Sequence, residues 1–154
     1  MLRIFNIVSE EFTMPFQEKS AWVMSIALFA GAAFYFKAVV EASAALGYLA
    51  PPNVPTLVSY AVILIVIAVV GHIVITVLAP DDANEATDER ERRANDRAGH
   101  LSGYVLGIGV LLALGVYLFT YDGNVMFYVL FGSLMLSQLV EYGLLVLLLR
   151  TRIF

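Results

Sequence analysis

The most informative stretch of the chain is residues 55–79, which read PTLVSYAVILIVIAVVGHIVITVLA without one Asp, Glu, Lys or Arg. A helix that crosses a bilayer needs about 20 mostly apolar residues, so this run is long enough. Its central part, Val62–Val70, does not alternate between apolar and polar residues as a strand of a membrane barrel would. In hydrocarbon every backbone amide needs a partner within its own segment, and the run is therefore predicted to be a transmembrane helix.

Three further stretches share this character. Charged residues make up only 14% of the chain, against about 25% in soluble domains, and half of them lie between Asp81 and Arg97. The prolines of residues 51–55 and the turn residues near Gly123 divide the rest. The predicted spans are about 21–43, 55–79, 101–121 and 125–149. The chain is thus predicted to be an all-α polytopic membrane protein, one four-transmembrane-helix bundle in a lipid bilayer, which excludes soluble enzymes and nucleic-acid binding.

The positions of Lys and Arg predict the orientation. Eight of the nine lie before the first span, in the middle loop or after the last span, and Lys37 is the exception. Cytoplasmic segments carry this excess, so both termini and the 80–100 loop are predicted to be cytoplasmic, in a bacterial inner membrane. The tyrosines near the opposite ends are interpreted as an interfacial belt; they are Tyr35, Tyr48, Tyr60, Tyr117, Tyr121 and Tyr128.

Two alternatives concern the amino-terminal part. The first span could be a cleaved signal peptide with Ala42-Ser43-Ala44 as the cleavage site, but its apolar run exceeds the usual length of about 7–15 residues. Residues 1–13 have apolar side chains on one helical face, which predicts a short interfacial helix. A frayed terminus, or a start at Met14, is an equally open alternative.

The 80–100 segment carries acidic residues before basic ones, an order that suits the dipole of a helix. It is predicted to form a solvated helix from about residue 83 to 99 that continues into the third span. Its i,i+4 pairs are Asp88 with Arg92 and Glu89 with Arg93. The preferred interpretation is a solvated face that also determines topology. The alternative is a docking surface for a cytosolic partner or lipid headgroups, formed by Asp88, Glu89, Arg92, Arg93 and Arg97.

Two patches resemble a known group of proteins. The first is Asp88-Glu89-Arg90-Glu91-Arg92, followed by Gly103-Tyr104-Val105-Leu106-Gly107. The second is Phe16-Gln17-Glu18-Lys19-Ser20-Ala21-Trp22. Both are similar to small uncharacterised four-span bacterial membrane proteins with an Asp-Glu-Arg loop before the third helix. The resemblance implies a membrane location and no particular activity.

Ionisable residues inside a span are costly and are functional candidates by default. Glu141 lies at nearly the same predicted depth as His72, so His72 is expected to bond Glu141 if the second and fourth spans touch. One hypothesis is a proton-titratable site; the preferred one is interhelical hydrogen bonding that sets the register of the bundle. The candidate buried polar site comprises Glu141, His72, Gln138, Ser137, Ser133 and Tyr104.

Other residues within the spans have structural interpretations. Lys37 and Glu41 are spaced i,i+4 near the outer end of the first span, which predicts an interfacial ion pair. Gly103 and Gly107, continued by Gly109, form a surface that lets helices approach closely. Packing within one molecule is expected, and a homo-oligomer or a protein partner at the Gly103/Gly107 face is the alternative.

No enzyme signature is present. The chain has no cysteine, and it lacks the zinc-protease, phosphate-loop and nucleophile-elbow motifs. His72 and His100 lie at different depths, which disfavours a haem between them. No catalytic residue, metal or cofactor is predicted. The expected function is a non-enzymatic scaffolding, sensing or accessory membrane module. The alternative is a small proton- or cation-linked transporter or channel that uses Glu141 and His72.

Overall fold

The computed structural model describes residues 16–78 and 88–151. Four helices account for nearly all of them: α1 (Phe16–Leu46), α2 (Val54–Leu78), α3 (Glu89–Thr120) and α4 (Gly123–Thr151). Each helix is long and apolar enough to cross a membrane, and the described residues contain no strand. The predicted all-α four-helix membrane bundle is confirmed. We refer to the end where α1 begins and α4 ends as the inner end.

Two helix boundaries follow from local chemistry. Gly47 ends α1 with a φ of +76°, a left-handed conformation that glycine adopts without steric cost. Asn53 precedes α2, and its Oδ1 accepts a hydrogen bond from Thr56 N at 2.8 Å, which satisfies one otherwise unpaired amide of the first turn. Pro55 lies in that turn, where its missing N–H costs little.

The turn between α3 and α4 is as tight as its sequence predicts. Tyr121 adopts a left-handed conformation after α3. The Oδ1 of Asp122 accepts hydrogen bonds from Asn124 N at 2.8 Å and Val125 N at 3.2 Å. These contacts cap α4 and make α3 and α4 antiparallel neighbours.

The third helix extends well beyond the predicted span of about 101–121, on the side of the charged segment. It runs from Glu89 to Thr120 without interruption, so the charged segment and the third span are one continuous helix, as expected. The predicted start near residue 83 lies outside the described residues, as do residues 1–13. Asp88 precedes the helix in an extended conformation, and its side chain makes no capping hydrogen bond.

Small residues bring the helices together. The helix α1 packs against both α2 and α4, and α3 packs along α4. A Cβ on Gly31 of α1 would lie 2.9 Å from Cε2 of Tyr60, and a Cβ on Gly71 of α2 would collide with Val23. At the inner end one apolar core joins α1, α3 and α4; it contains Ala21, Ala94, Ala98, Leu145, Val146, Leu148 and Leu149.

The glycines of α3 divide between two faces. A Cβ on Gly109 would collide with Ser133 of α4, whereas a Cβ on Gly103 or Gly107 would have nothing within 4 Å. The expectation that Gly103 and Gly107 pack within the molecule is therefore wrong. Successive helical residues are rotated by about 100°, so Gly107 and Gly109 point in nearly opposite directions and cannot serve the same neighbour.

Candidate functional site

A polar layer joins α3 and α4 in their inner halves. Ser137 is buried, and its Oγ donates a hydrogen bond to the backbone oxygen of Ser102 at 2.9 Å. The Oγ of Ser102 lies 2.9 Å from Gly99 O and 3.3 Å from Oε2 of Glu141. A hydroxyl carries one proton, so Ser102 donates to one of these acceptors at a time or shares its proton between them.

Glu141 lies over a glycine of the neighbouring helix. A Cβ on Gly99 would be 3.8 Å from Oε1 of Glu141, so the carboxyl group lies beside the space that a side chain at position 99 would occupy. Its side chain is half-buried. Ser102 is its hydrogen-bond partner, and among the described residues no cation pairs with it.

His72 belongs to a different contact, between α2 and α1. Its Nε2 lies 2.7 Å from Oγ of Ser20, and its Nδ1 lies 2.7 Å from the backbone oxygen of Ala68. A carbonyl can only accept, so Nδ1 donates to Ala68, and a neutral ring then accepts from the Ser20 hydroxyl at Nε2. Both ring nitrogens are thus satisfied within the bundle.

The expected bond between His72 and Glu141 is absent from the described structure. His72 turns toward α1, which packs between α2 and α4. The rings of Tyr60 and Phe131 do meet, at 5.5 Å between centroids, but they lie toward the outer end. Helix lengths indicate only how deep a residue lies and carry no information about how its helix is rotated, so they do not reveal that His72 faces α1.

The other residues of the predicted polar site separate as well. Tyr104 is 60% exposed, and its hydroxyl bonds Nε2 of His100 at 3.1 Å; it therefore lies away from the Glu141 layer. Ser133 Oγ donates to the backbone oxygen of Val129 at 2.7 Å. Gln138 lines a groove between α2 and α4, where its amide makes no hydrogen bond with the described residues.

Two of the three predicted surface pairs form in the described structure. Lys37 Nζ is 3.7 Å from Oε1 of Glu41, with both side chains mostly exposed. Arg93 Nη2 is 3.5 Å from Oε1 of Glu89. The expected pair of Asp88 with Arg92 does not form in the described structure, although both residues are exposed. Arg97 is also exposed, so all five residues of the predicted docking surface are accessible.

An ionic contact that the sequence analysis missed lies at the inner end. Glu18 is 5% exposed, and its Oε1 accepts a hydrogen bond from Nε of Arg150 at 2.6 Å. The guanidinium of Arg150 also lies 5.5 Å from the ring centroid of Trp22. Nearby, Nη2 of Arg90 donates to the backbone oxygen of Leu149 at 2.7 Å, so α3 caps the end of α4.

A signal for this contact exists in the sequence. Glu18 lies at the start of the first span and Arg150 at the end of the fourth. A chain that crosses the membrane four times returns to the side on which it started. Both must then lie at the same end, where opposite charges of partly buried groups attract.

The outer end is aromatic. Tyr35 is 1% exposed, and its ring meets those of Tyr60 and Phe131 at 5.9 and 4.8 Å between centroids. Tyr128 donates from its hydroxyl to the backbone oxygen of Ala50 at 2.8 Å. Tyr35 is therefore a core residue, and its assignment to an interfacial belt is wrong. Tyr48, Tyr117 and Tyr121 are exposed, as a belt requires.

The arrangement as a whole consists of separate polar contacts, each joining one pair of helices. Ser20 with His72 joins α1 to α2, Ser102 with Ser137 and Glu141 joins α3 to α4, and the Glu18 pair joins α1 to α4. Within residues 16–78 and 88–151, no three His, Cys, Asp or Glu side chains are grouped so that they could hold a metal ion. No protein-family model, curated protein or solved structure matches the chain.

Proposed function

We propose that this protein is a non-enzymatic membrane module that assembles side by side with a second copy of itself through the exposed face of α3. The observation that carries the proposal is the open surface at Gly103 and Gly107, where no atom of the described residues lies within 4 Å of a Cβ position. Paired glycines of this spacing allow the backbones of two helices to approach closely in lipid. The neighbouring exposed residues on this face are Tyr104, Ile108 and Leu111.

The polar contacts support an assembly role over a transport role. The residues expected to form a single titratable site bond instead to separate partners inside the bundle, Ser20 for His72 and Ser102 for Glu141. Hydrogen bonds of this kind between transmembrane helices contribute about 0.6–2 kcal/mol each. They set the rotation of each helix, and so they determine which face of α3 remains available.

The proposal includes location and orientation. The proposed location is a bacterial inner membrane, and the distribution of Lys and Arg supports cytoplasmic termini. Because the chain has no cysteine, a single introduced cysteine can be labelled without background. A cysteine at Asn95 is expected to react with an impermeant maleimide only from the cytoplasmic side, and a cysteine at Tyr48 only from the opposite side. The reverse pattern would contradict the orientation.

Cross-linking tests the assembly. Leu111→Cys places a thiol on the proposed interface, and Leu136→Cys places one on an exposed position of α4. Oxidation in native membranes is expected to give disulfide dimers with Leu111→Cys and few with Leu136→Cys. Adding Gly107→Leu should suppress the dimer by filling the surface. Adding Gly143→Leu is the matched control, because Gly143 also has nothing within 4 Å of its Cβ position. Equal cross-linking in all variants would overturn the proposal.

A specific observation favours a small proton- or cation-linked transporter as the second candidate function. Glu141 lies within a span and has no cationic partner among the described residues, and such carboxyl groups often mark proton pathways. Purified protein in liposomes provides the test. A proton or cation flux that Glu141→Gln abolishes would support the transporter. No flux, with a change in thermal stability alone, would support the register role.

A further inference from the structure

A groove in the outer half of the bundle has the size of a ligand site. It has a volume of about 350 Å³ and lies between α2 and α4, with Leu28 of α1 as its floor. Pockets for small molecules typically measure about 300–1,000 Å³. Tyr60 and Phe131 line its outer end, and Ile65 and Leu134, at its rim, are exposed. The groove is therefore open toward the lipid.

Gln138 is the polar residue at the inner end of this groove. Its amide carries two donors and one acceptor, and none of them has a hydrogen-bond partner in the described residues. The adjacent Ser137 is fully engaged with Ser102 across the α3 contact. An amide without a partner is unfavourable in hydrocarbon, so the groove is complete only when its occupant supplies a hydrogen-bonding group.

The depth of Gln138 limits what that occupant can be. The residue lies about 22 Å along α4 from Gly123, at a rise of about 1.5 Å per residue, which is close to the middle of a bilayer. The ester carbonyls of ordinary phospholipids lie at the edge of the hydrocarbon core, about 15 Å from its centre, and do not reach it. A water molecule needs two to four polar partners, and the other inner lining residues, Ile65 and Met135, are apolar.

A lipid-soluble molecule with its own carbonyl group meets these conditions. We propose that the groove binds a compound of the quinone type, with the apolar body along Leu64 and Leu134 and one carbonyl oxygen accepting a hydrogen bond from the Gln138 amide. The rings of Tyr60 and Phe131, 5.5 Å apart between centroids, offer an aromatic wall that suits a flat ring. This site does not involve the α3 face of the proposed function, and each can fail without the other.

Binding in nanodiscs tests the proposal. The probe is a benzoquinone with a ten-carbon tail, and its retention by protein-containing discs is compared with that by protein-free discs of the same lipids. We expect saturable excess binding of one molecule per chain. Decylbenzene, which has the tail but no carbonyl, is expected not to displace the quinone. This comparison requires no variant, so it holds even if a substitution prevents folding.

Three variants test whether the quinone binds in this groove. Gln138→Leu removes the amide and should weaken quinone binding about ten-fold, the scale expected for loss of one buried hydrogen bond. Ala61→Phe fills the groove and should abolish saturable binding. Val62→Phe, one residue away on the lipid-facing side of α2, is the matched control and should leave binding unchanged. Absence of saturable binding, equal affinity of the Gln138→Leu variant, or displacement by decylbenzene would each overturn the proposal.

Discussion

The contact between Glu18 and Arg150 predicts an asymmetric response to mutation. The Glu18 side chain is 7% exposed and that of Arg150 is 55% exposed, with 2.6 Å between the bonded atoms. Arg150→Gln leaves a buried carboxylate without its partner, whereas Glu18→Gln leaves an arginine that water can still solvate and that still lies against Trp22. The order of destabilisation is therefore expected to be Arg150→Gln well above Glu18→Gln.

The magnitudes follow from the exposure of the two groups. Stranding one member of a fully buried pair costs about 3–5 kcal/mol. Solvent reaches Arg150 and screens the pair, which lowers the expected loss for Arg150→Gln to about 1–3 kcal/mol. Glu18→Gln is expected to cost at most about 1 kcal/mol, typical of an exposed pair. The double variant should be less destabilised than Arg150→Gln alone, because it no longer contains the stranded carboxylate.

Unfolding of the purified protein in mixed detergent and lipid micelles measures these differences as free energies. Lys37→Gln is the matched control, since the Lys37–Glu41 pair has exposed fractions of 75% and 68% and should contribute about 0.3–0.5 kcal/mol. The reasoning is refuted if Glu18→Gln destabilises the protein as much as Arg150→Gln. It is also refuted if the double variant is the least stable of the three.

Three further predictions about the packing, which involve four variants, are tested by the same unfolding measurement. Gly109→Val should destabilise the protein or prevent folding, because even a Cβ there collides with Ser133, whereas Gly143→Ala should be neutral or stabilise it by about 0.5–1 kcal/mol; similar effects of both would contradict the assigned faces. Tyr35→Ala should cost about 3–5 kcal/mol, since the side chain is buried among aromatic rings, and a loss below 1 kcal/mol would place it at the lipid surface. Ser137→Ala should lower the free energy of unfolding by about 0.6–2 kcal/mol, because it removes the hydrogen bond to Ser102. An unchanged free energy of unfolding would show that this bond does not stabilise the bundle.

The sequence is sufficient to predict the helices and their order. Charge-free runs locate the spans, the prolines of residues 51–55 separate α1 from α2, and the residues after Tyr121 predict a turn. These features are local, since each depends on residues within one turn of the boundary. The continuity of α3 with the charged segment follows in the same way, from an order of charges that suits one helix dipole.

The pairing of side chains could not be predicted in the same manner. A helix such as α2 is apolar on nearly every side, and its polar residues His72 and Thr76, although they share one face, do not reveal which neighbouring helix that face meets. The partner of His72 is Ser20, which the predicted site does not include because that site comprises residues of the second, third and fourth spans only. The sequence of α3 likewise does not show which of its faces meets α4, and Gly103 and Gly107 were therefore expected on the packed face.

Because α3 is one unbroken helix, its charged segment and its apolar part move together as a rigid rod. Its first 12 residues, before the apolar part begins at Leu101, correspond to a rod of about 18 Å at a rise of 1.5 Å per residue. Without a hinge, a tilt of about 10° inside the lipid displaces the Glu89 end by about 3 Å. The hydrogen bond from Arg90 to Leu149 would be stretched by that displacement, so a rearrangement among helices in the bilayer is transmitted directly to the water-exposed arginines.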